Sequence, residues 1–299
     1  MSAGGWKLEN ISNYLWQSNV FWRSRLVMIF VGAFIALYIA VIMLMYLSQR
    51  KLMYHPDSNL DTPLSHGIPE VVPIKLVTSD DLTITSWFKA SGTNKPFLIY
   101  FHGNAGHIGD RATKVCAYLE EGYGVLLVGY RGYGGNPGEP TEQGLYKDAA
   151  TALDFLLRSG VAPDHWILYG ESLGTAIAIE MAARFNTKTP VAGVVLEAPF
   201  SSMADAAGSL YPFVPTKILI KDVYESELKI SKIKSPIMVV HGDMDKTIPQ
   251  KLGIKLFNAA NEPKSSLWIN GAGHNNLYDF GMDQEVISFI DKNWPPISE

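Results

Sequence analysis

The sequence predicts an α/β protein: an eight-stranded, mostly parallel sheet with helices on both faces, preceded by one transmembrane helix. Three observations carry this reading. Short β-rich runs alternate with helix-patterned stretches from residue 66 to residue 299. Most of those runs are apolar throughout, as strands covered on both faces are. Residues 26–47, "LVMIFVGAFIALYIAVIMLMYL", form an uninterrupted stretch without a charge. The chain therefore divides into a juxtamembrane segment (1–25), a membrane span (26–47), a proline-containing linker (48–65) and one α/β domain (66–299) with a small cap region at 203–235.

The apolar stretch comes first. As a helix it reaches roughly 33 Å at about 1.5 Å per residue, enough for a hydrocarbon core of about 30 Å. Arg23 and Arg25 close one end, Arg50 and Lys51 the other, and Trp16, Trp22, Tyr46 and Tyr54 stand where interfacial aromatics belong. A cleaved signal peptide fits poorly: the run is too long, and "SQRKLMY" follows it in place of a small-x-small site. Lys7, Arg23 and Arg25 before the span against Arg50 and Lys51 after it lean toward a cytoplasmic amino terminus without deciding the orientation. The segment before the span, with Ile11, Leu15, Phe21 and Trp22, fits either a short interfacial amphipathic helix or an irregular polar tail. Oligomeric state leaves no mark that we can read.

A net charge of −4 gives no reason to expect a nucleic-acid partner. Cys116 is the one cysteine, so no intrachain disulfide is possible, and a small buried thiol on a helix is its default role. The partners to expect are the lipid bilayer and a small-molecule or lipid acyl substrate.

The strands follow in order. "VVPIKLVT" and "LTITSWFKA" read as an antiparallel pair joined at Ser79, Asp80 and Asp81. Then come "PFLIYFH", "YGVLLVGY", "HWILYGE", "VAGVVLEA", "SPIMVVHG" and "SSLWIN", most of them leading into a helical pattern. Thr141 is placed to cap the helix of "TEQGLYKDAATALDFLLRS".

At the end of the fifth strand, "YGESLGTAIAIE" sets Ser172 between Gly170 and Gly174, where strand gives way to helix. Side chains at those two glycines would collide with neighbouring backbone in a sharp strand–nucleophile–helix turn. The helix start also aims free N–H groups at charge developing near the serine. On such a scaffold an acid and then a histidine must follow the serine in the chain. His274 in "NGAGHNN" follows the Asp243/Asp245 pair of "VHGDMDKTIP", and both lie just beyond strands. His274 can take a proton from Ser172, and a carboxylate can orient the imidazole and stabilise its cation.

These motifs, with "YFHGNAGHIGDR" and "VGYRGYGGNPGEPTEQGLYKDA", resemble the membrane-anchored α/β-hydrolases of the abhydrolase-domain group over roughly residues 50–293. The resemblance implies the α/β-hydrolase fold with a minimal cap, Ser172 as nucleophile and His274 as base. It places the acid at Asp245, not Asp243, through the His-Gly-x-x-Asp pattern. It also implies an oxyanion hole from the backbone N–H groups of Asn104 and Leu173, with the Asn104 side chain incidental.

Other features read as structural. "GYRGYGGNPG" lacks the Gly-Lys-Ser/Thr of a phosphate loop and fits a supporting loop beside the site. His102, His107 and Asp110 lack a fourth ligand, so we expect no metal, and no cofactor is implied. Residues 201–235 have room for two or three short helices; Leu210, Tyr211, Phe213 and Val214 either line the substrate site or pack on the sheet. The expected activity is that of a serine hydrolase on ester or thioester bonds. The alternatives are a serine peptidase on the same fold and a membrane-tethered interaction protein without chemistry.

Overall fold

The computed structural model describes residues 5–185 and 189–294, with the side chains of residues 5–20 outside that description except for Trp16. Lys7, Ile11 and Leu15, which entered the orientation and amphipathicity readings, thus have no described side chains. The chain forms two compact units, residues 1–49 and residues 50–299.

A single helix, α1 (Gly5–Met53), runs through residues 5–25 as well, with no break between the juxtamembrane segment and the apolar stretch. From Phe21 to Met53 it is long and apolar enough to cross a membrane, and none of its most apolar window is buried. Phe30 and Phe34 are 72% and 71% exposed, which suits a hydrocarbon environment and not water. It is a candidate membrane anchor.

The second unit is built on eight strands: β1 (Val72–Val77), β2 (Thr83–Lys89), β3 (Phe97–Phe101), β4 (Gly124–Val128), β5 (Trp166–Glu171), β6 (Gly193–Glu197), β7 (Ile237–Gly242) and β8 (Lys264–Ile269). They lie in the order β1-β2-β4-β3-β5-β6-β7-β8, with β2 antiparallel to both neighbours and all other pairs parallel. The expected antiparallel first pair is present, and its turn is held by Thr78 Oγ1, which accepts from the Leu82 N–H (3.0 Å) and donates to Asp80 (2.7 Å). Strands β3 to β7 are buried at every position, whereas β1 and β8, at the edges, are mostly not.

Because side chains alternate across a strand, each strand feeds two cores. Ile99, Phe101, Leu126, Val128, Leu168, Val194 and Leu196 pack on one face with the helices α3 (Glu142–Arg158), α4 (Leu173–Phe185) and α8 (Gln250–Ala259). Their neighbours Leu98, Tyr100, Val125, Leu127, Ile167, Tyr169 and Val195 pack on the other with α2 (Ala112–Glu120) and α9 (Met282–Asn293). Thr141 caps α3, accepting from the Gly144 N–H at 3.0 Å. The cap region holds three short helices, α5 (Met203–Leu210), α6 (Thr216–Leu219) and α7 (Ser226–Ile230).

One expectation needs correction. Residues 48–65 are not a free linker, since α1 continues to Met53 and the chain from Arg50 onward belongs to the second unit. Met53 and Tyr54 are buried, and His55–Pro56 pairs in parallel with Ala105–Gly106. The prolines suit this course: Pro63 is buried and opens a 3₁₀ turn, Pro63–His66, where its missing N–H costs nothing.

The glycine-rich stretch after β4 is the expected supporting loop. Arg131 lies in it with its guanidinium against Asp148 (2.8 Å) and Asp80 (2.9 Å), and the Asp148 side chain is wholly buried. Removing the cation would leave that carboxylate uncompensated. Arg131→Met is therefore expected to cost about 3 kcal/mol or more, read as a lowered urea midpoint of the detergent-solubilised protein. An unchanged midpoint would mean that the pair contributes nothing.

Candidate active site

Ser172 occupies the one-residue corner between β5 and α4 with φ +51°, a left-handed conformation that costs a non-glycine residue of order 1–3 kcal/mol. The surroundings impose it. Its N–H donates to the Glu197 carbonyl on β6 (2.8 Å), and its carbonyl accepts from the N–H and hydroxyl of Thr175 (3.0 and 2.6 Å). A Cβ at Gly174 would sit 1.9 Å from the Phe101 carbonyl oxygen, and one at Gly170 would sit 2.5 Å from the Thr175 Cα. Only glycines let helix and strand approach this closely, as the sequence pattern requires.

The loops beyond β7 and β8 bring the partners. His274 Nε2 lies 3.0 Å from Ser172 Oγ, and its Nδ1 lies 2.6 Å from Asp245 Oδ2. With Nδ1–H donating to the carboxylate, Nε2 is free to accept the serine proton. The other oxygen of Asp245 accepts from the Thr247 and Ile248 N–H groups, both at 2.8 Å. Burial works to raise this carboxyl, but hydrogen bonds from His241 and His274 outweigh it and hold it well below the usual carboxylate range. Asp243 does a different job: it is exposed, and its Oδ1 accepts from the Gly271 N–H (2.8 Å), shaping the neighbouring loop. Of the two acids, the fold brings Asp245 to His274.

A family model described as alpha/beta hydrolase fold matches residues 96–223. An uncharacterized protein of Mycobacterium tuberculosis is 37% identical over 239 residues, which cover 79% of this chain and 84% of that one. Protein bem46 of Schizosaccharomyces pombe is 30% identical, covering 74% and 77%. Human alpha/beta hydrolase domain-containing protein 17B is 34% identical over 64% of this chain and 65% of its own. The chain belongs to the α/β-hydrolase family. With its apolar amino-terminal helix it fits the membrane-anchored, abhydrolase-domain proteins that its motifs resemble. Among solved structures, an esterase of Pyrococcus furiosus (TM-score 0.62, 18% identity, 81% of this chain and 98% of that one) shares the fold. So does an alpha-beta hydrolase of Vibrio vulnificus (TM-score 0.63, 24% identity, 75% and 84%).

In this hydrolase the stretch after β3 lies beside the serine. A Cβ at Gly103 would be 3.5 Å from Ser172 Cβ and 3.2 Å from Glu171 Oε1, so the next peptide, that of Asn104, is held close to the corner. Leu173 opens α4, and its N–H has no intrahelical acceptor. The Asn104 side chain is not incidental: its Nδ2 donates to the Met53 carbonyl at 2.8 Å.

Two groups near the site went unread in the sequence. His241, fully buried four residues before Asp245, points Nε2 at the Ile248 carbonyl (2.9 Å) and at Asp245 Oδ2 (3.2 Å). The same "HGDMD" motif that located the acid could have flagged it. The second group is a buried ionic cluster behind Ser172. Arg111 binds both oxygens of Glu171 (2.9 and 3.0 Å), and Lys114 bridges Glu171 (3.5 Å) and Glu197 (2.7 Å). Tyr100 donates to Glu171 and Tyr169 to Glu197. Burial would raise the Glu171 carboxyl; Lys114 and Arg111 prevail and keep it low and ionised. Neighbouring His102 is also lowered, to about 3, by burial and then by Arg111, so it is neutral at ordinary pH. Among the described residues no group of three or more His, Cys, Asp or Glu is placed to hold a metal.

Leu210, Tyr211, Phe213 and Val214 lie at and after the end of α5 and are not members of either core. Leu210 and Phe213 are 50% and 54% exposed, so these two do not pack on the sheet, whereas Tyr211 and Val214 are half-buried.

The depressed Asp245 carboxyl makes stability depend on pH with a definite sign. Its contribution is present above the unfolded value of about 3.9 and is lost as pH falls toward the folded value. The stability difference between wild type and Asp245→Asn should therefore shrink as pH falls from 5 toward 2, measured by urea unfolding at each pH. A gap that widens on acidification would contradict the ionised, hydrogen-bonded state.

Proposed function

We propose that this protein is a membrane-anchored serine hydrolase that cleaves carboxylic ester or thioester bonds, with acyl lipids or acylated proteins as substrates. The observation that carries the reading is His274 lying between Asp245 and Ser172 within hydrogen-bond reach of both. Ser172 Oγ attacks the acyl carbon while His274 Nε2 accepts its proton; Asp245 holds the ring and stabilises the imidazolium. The N–H groups of Asn104 and Leu173 receive the oxyanion, each such donor typically contributing about 3 kcal/mol. His274 then protonates the departing alkoxide or thiolate, leaving an acyl-serine. Water, deprotonated by the same histidine, attacks this ester and regenerates the serine.

Several things support esters over peptides. An esterase is among the solved structures that share the fold, and so is a monoacylglycerol lipase of Paleococcus ferrophilus (TM-score 0.55). The cap of three short helices leaves the site without the large covering domain that peptidases of this architecture carry, and Leu210 and Phe213 offer apolar surface on that cap. A purely interacting protein has no use for a strained serine whose proton is already directed at a histidine.

A fluorophosphonate probe should label Ser172 of the wild type and fail on Ser172→Ala, whose kcat on a short-chain aryl ester should fall on the order of 10⁶-fold. Asp245→Asn should lose roughly 10⁴-fold through the wrong histidine tautomer, whereas Asp243→Asn should stay within a few-fold. Wild-type turnover by purified Ser172→Ala would sink the mechanism.

The anchor makes a separate expectation. Holding the enzyme at a bilayer raises the effective concentration of membrane-borne substrate without adding a contact at the site. A chain beginning at Ser48 should keep kcat/KM on a water-soluble ester within a few-fold and lose most activity on a lipid ester in vesicles. Equal retention on both would mean that the substrate is not in the membrane.

A further inference from the structure

We propose that residues 50–57, the segment by which the chain leaves the apolar helix, are a positioning element of the oxyanion site. The inference rests on the serine-hydrolase reading and adds to it a route by which the end of the anchor acts on Asn104.

The bonds converge on one residue. The His55 N–H donates to the Asn104 carbonyl (2.9 Å), and Asn104 Nδ2 donates back to the carbonyl of Met53, the last residue of α1 (2.8 Å). Tyr133 adds its hydroxyl to the same Asn104 carbonyl at 2.8 Å. Two positions further on, the Asp57 N–H donates to the Gly106 carbonyl (3.2 Å), in register with the His55–Ala105 and Pro56–Gly106 pairing. Asp57 is itself fixed, its carbonyl accepting from the Gly134 N–H at 2.7 Å.

The segment is also clamped at its start. The Arg50 guanidinium grips both oxygens of Asp222 in the cap region (2.9 and 3.2 Å), and Tyr54 meets Tyr224 hydroxyl to hydroxyl at 2.8 Å. Asp222 also accepts from the Glu142 N–H, and Glu142 accepts from the Tyr224 N–H, tying the clamp to the start of α3. A passive tether needs none of this. Flexible linkers serve to join a membrane span to a domain.

The chemistry explains why Asn104 matters. Peptide units are planar, so holding the Asn104 carbonyl and side chain limits how the preceding peptide, which carries its N–H, can turn. An oxyanion donor works only within about 2.7–3.1 Å of the developing charge, and misplacement by about 1 Å can cost on the order of 100-fold. Met53 and Tyr54 are buried, and the Tyr54–Tyr224 contact is buried with them.

The test uses the full-length protein in detergent and an alkyl boronic acid, which forms a tetrahedral adduct with the serine. Asn104→Ala deletes the bond to Met53 and leaves the main-chain N–H in place. It should lower kcat on a short-chain aryl ester by roughly 10–100-fold and weaken boronate binding by the same factor, with KM changed less than about 3-fold. Asn104→Asp, which keeps the shape but replaces the donor with an acceptor, should do the same. Arg50→Gln, which removes the clamp on Asp222, should move kcat and boronate affinity together in the same direction by a few-fold, and it decides the matter should the Asn104 variants fail to fold. Variants of a labelled, active wild type that melt lower yet keep kcat and boronate affinity would overturn this inference alone. A wild type that neither turns over ester nor takes up the fluorophosphonate would overturn the functional reading, and this one with it.

Discussion

The corner at Ser172 is the constraint on which the rest of the site depends. A side chain held at φ +51° presents its hydroxyl beyond the sheet edge only because β3, β6 and α4 meet there almost in backbone contact. Gly174 is pressed against Phe101 O, the last residue of β3, and the Ser172 N–H is taken by β6. The parallel sheet places both contacts at the carboxyl ends of neighbouring strands, the end where the loops carrying Asp245 and His274 also emerge. Strain of order 1–3 kcal/mol at one residue is thus secured by the packing of three elements.

A second layer of organisation lies directly beneath. Glu171, next to the serine, and Glu197, at the end of β6, are neutralised by Arg111 and Lys114 from one side of the sheet. Two buried carboxylates this near the Ser172 hydroxyl would raise its resistance to losing a proton, and the two cations oppose that field. Arg111 also donates to the carbonyls of Ala105 and His107 (3.0 and 3.3 Å), so the same guanidinium holds the loop after β3 from below.

Above that loop lies the segment from Arg50 to Asp57. The Asn104 stretch is therefore held between Arg111 on one side and the chain leaving α1 on the other. On the proposed oxyanion role of Asn104, the residues that follow α1 belong to the scaffold of the site.

How much of this was legible beforehand follows from the range of each interaction. The apolar span, the eight strands, the Thr141 cap and the glycine-flanked Ser172 are local: each shows as a run, a period or a spacing within about twenty residues. The order of Ser172, Asp245 and His274 along the chain was readable too, because the fold's topology fixes it. Choosing Asp245 over Asp243 by chemistry alone was not, since both sit at the same strand end and only the loop's path turns one toward His274. The bond from Asn104 to Met53 spans 51 residues, and those joining Arg111 to Glu171 span 60. No periodicity links such positions. Prolines and polar residues at 48–65 have the composition of a linker, and their fixed course was decided by tertiary hydrogen bonds that offered partners for His55, Asp57 and Tyr54. Local sequence determined which elements form; the long-range closure of the sheet decided which of their ends meet.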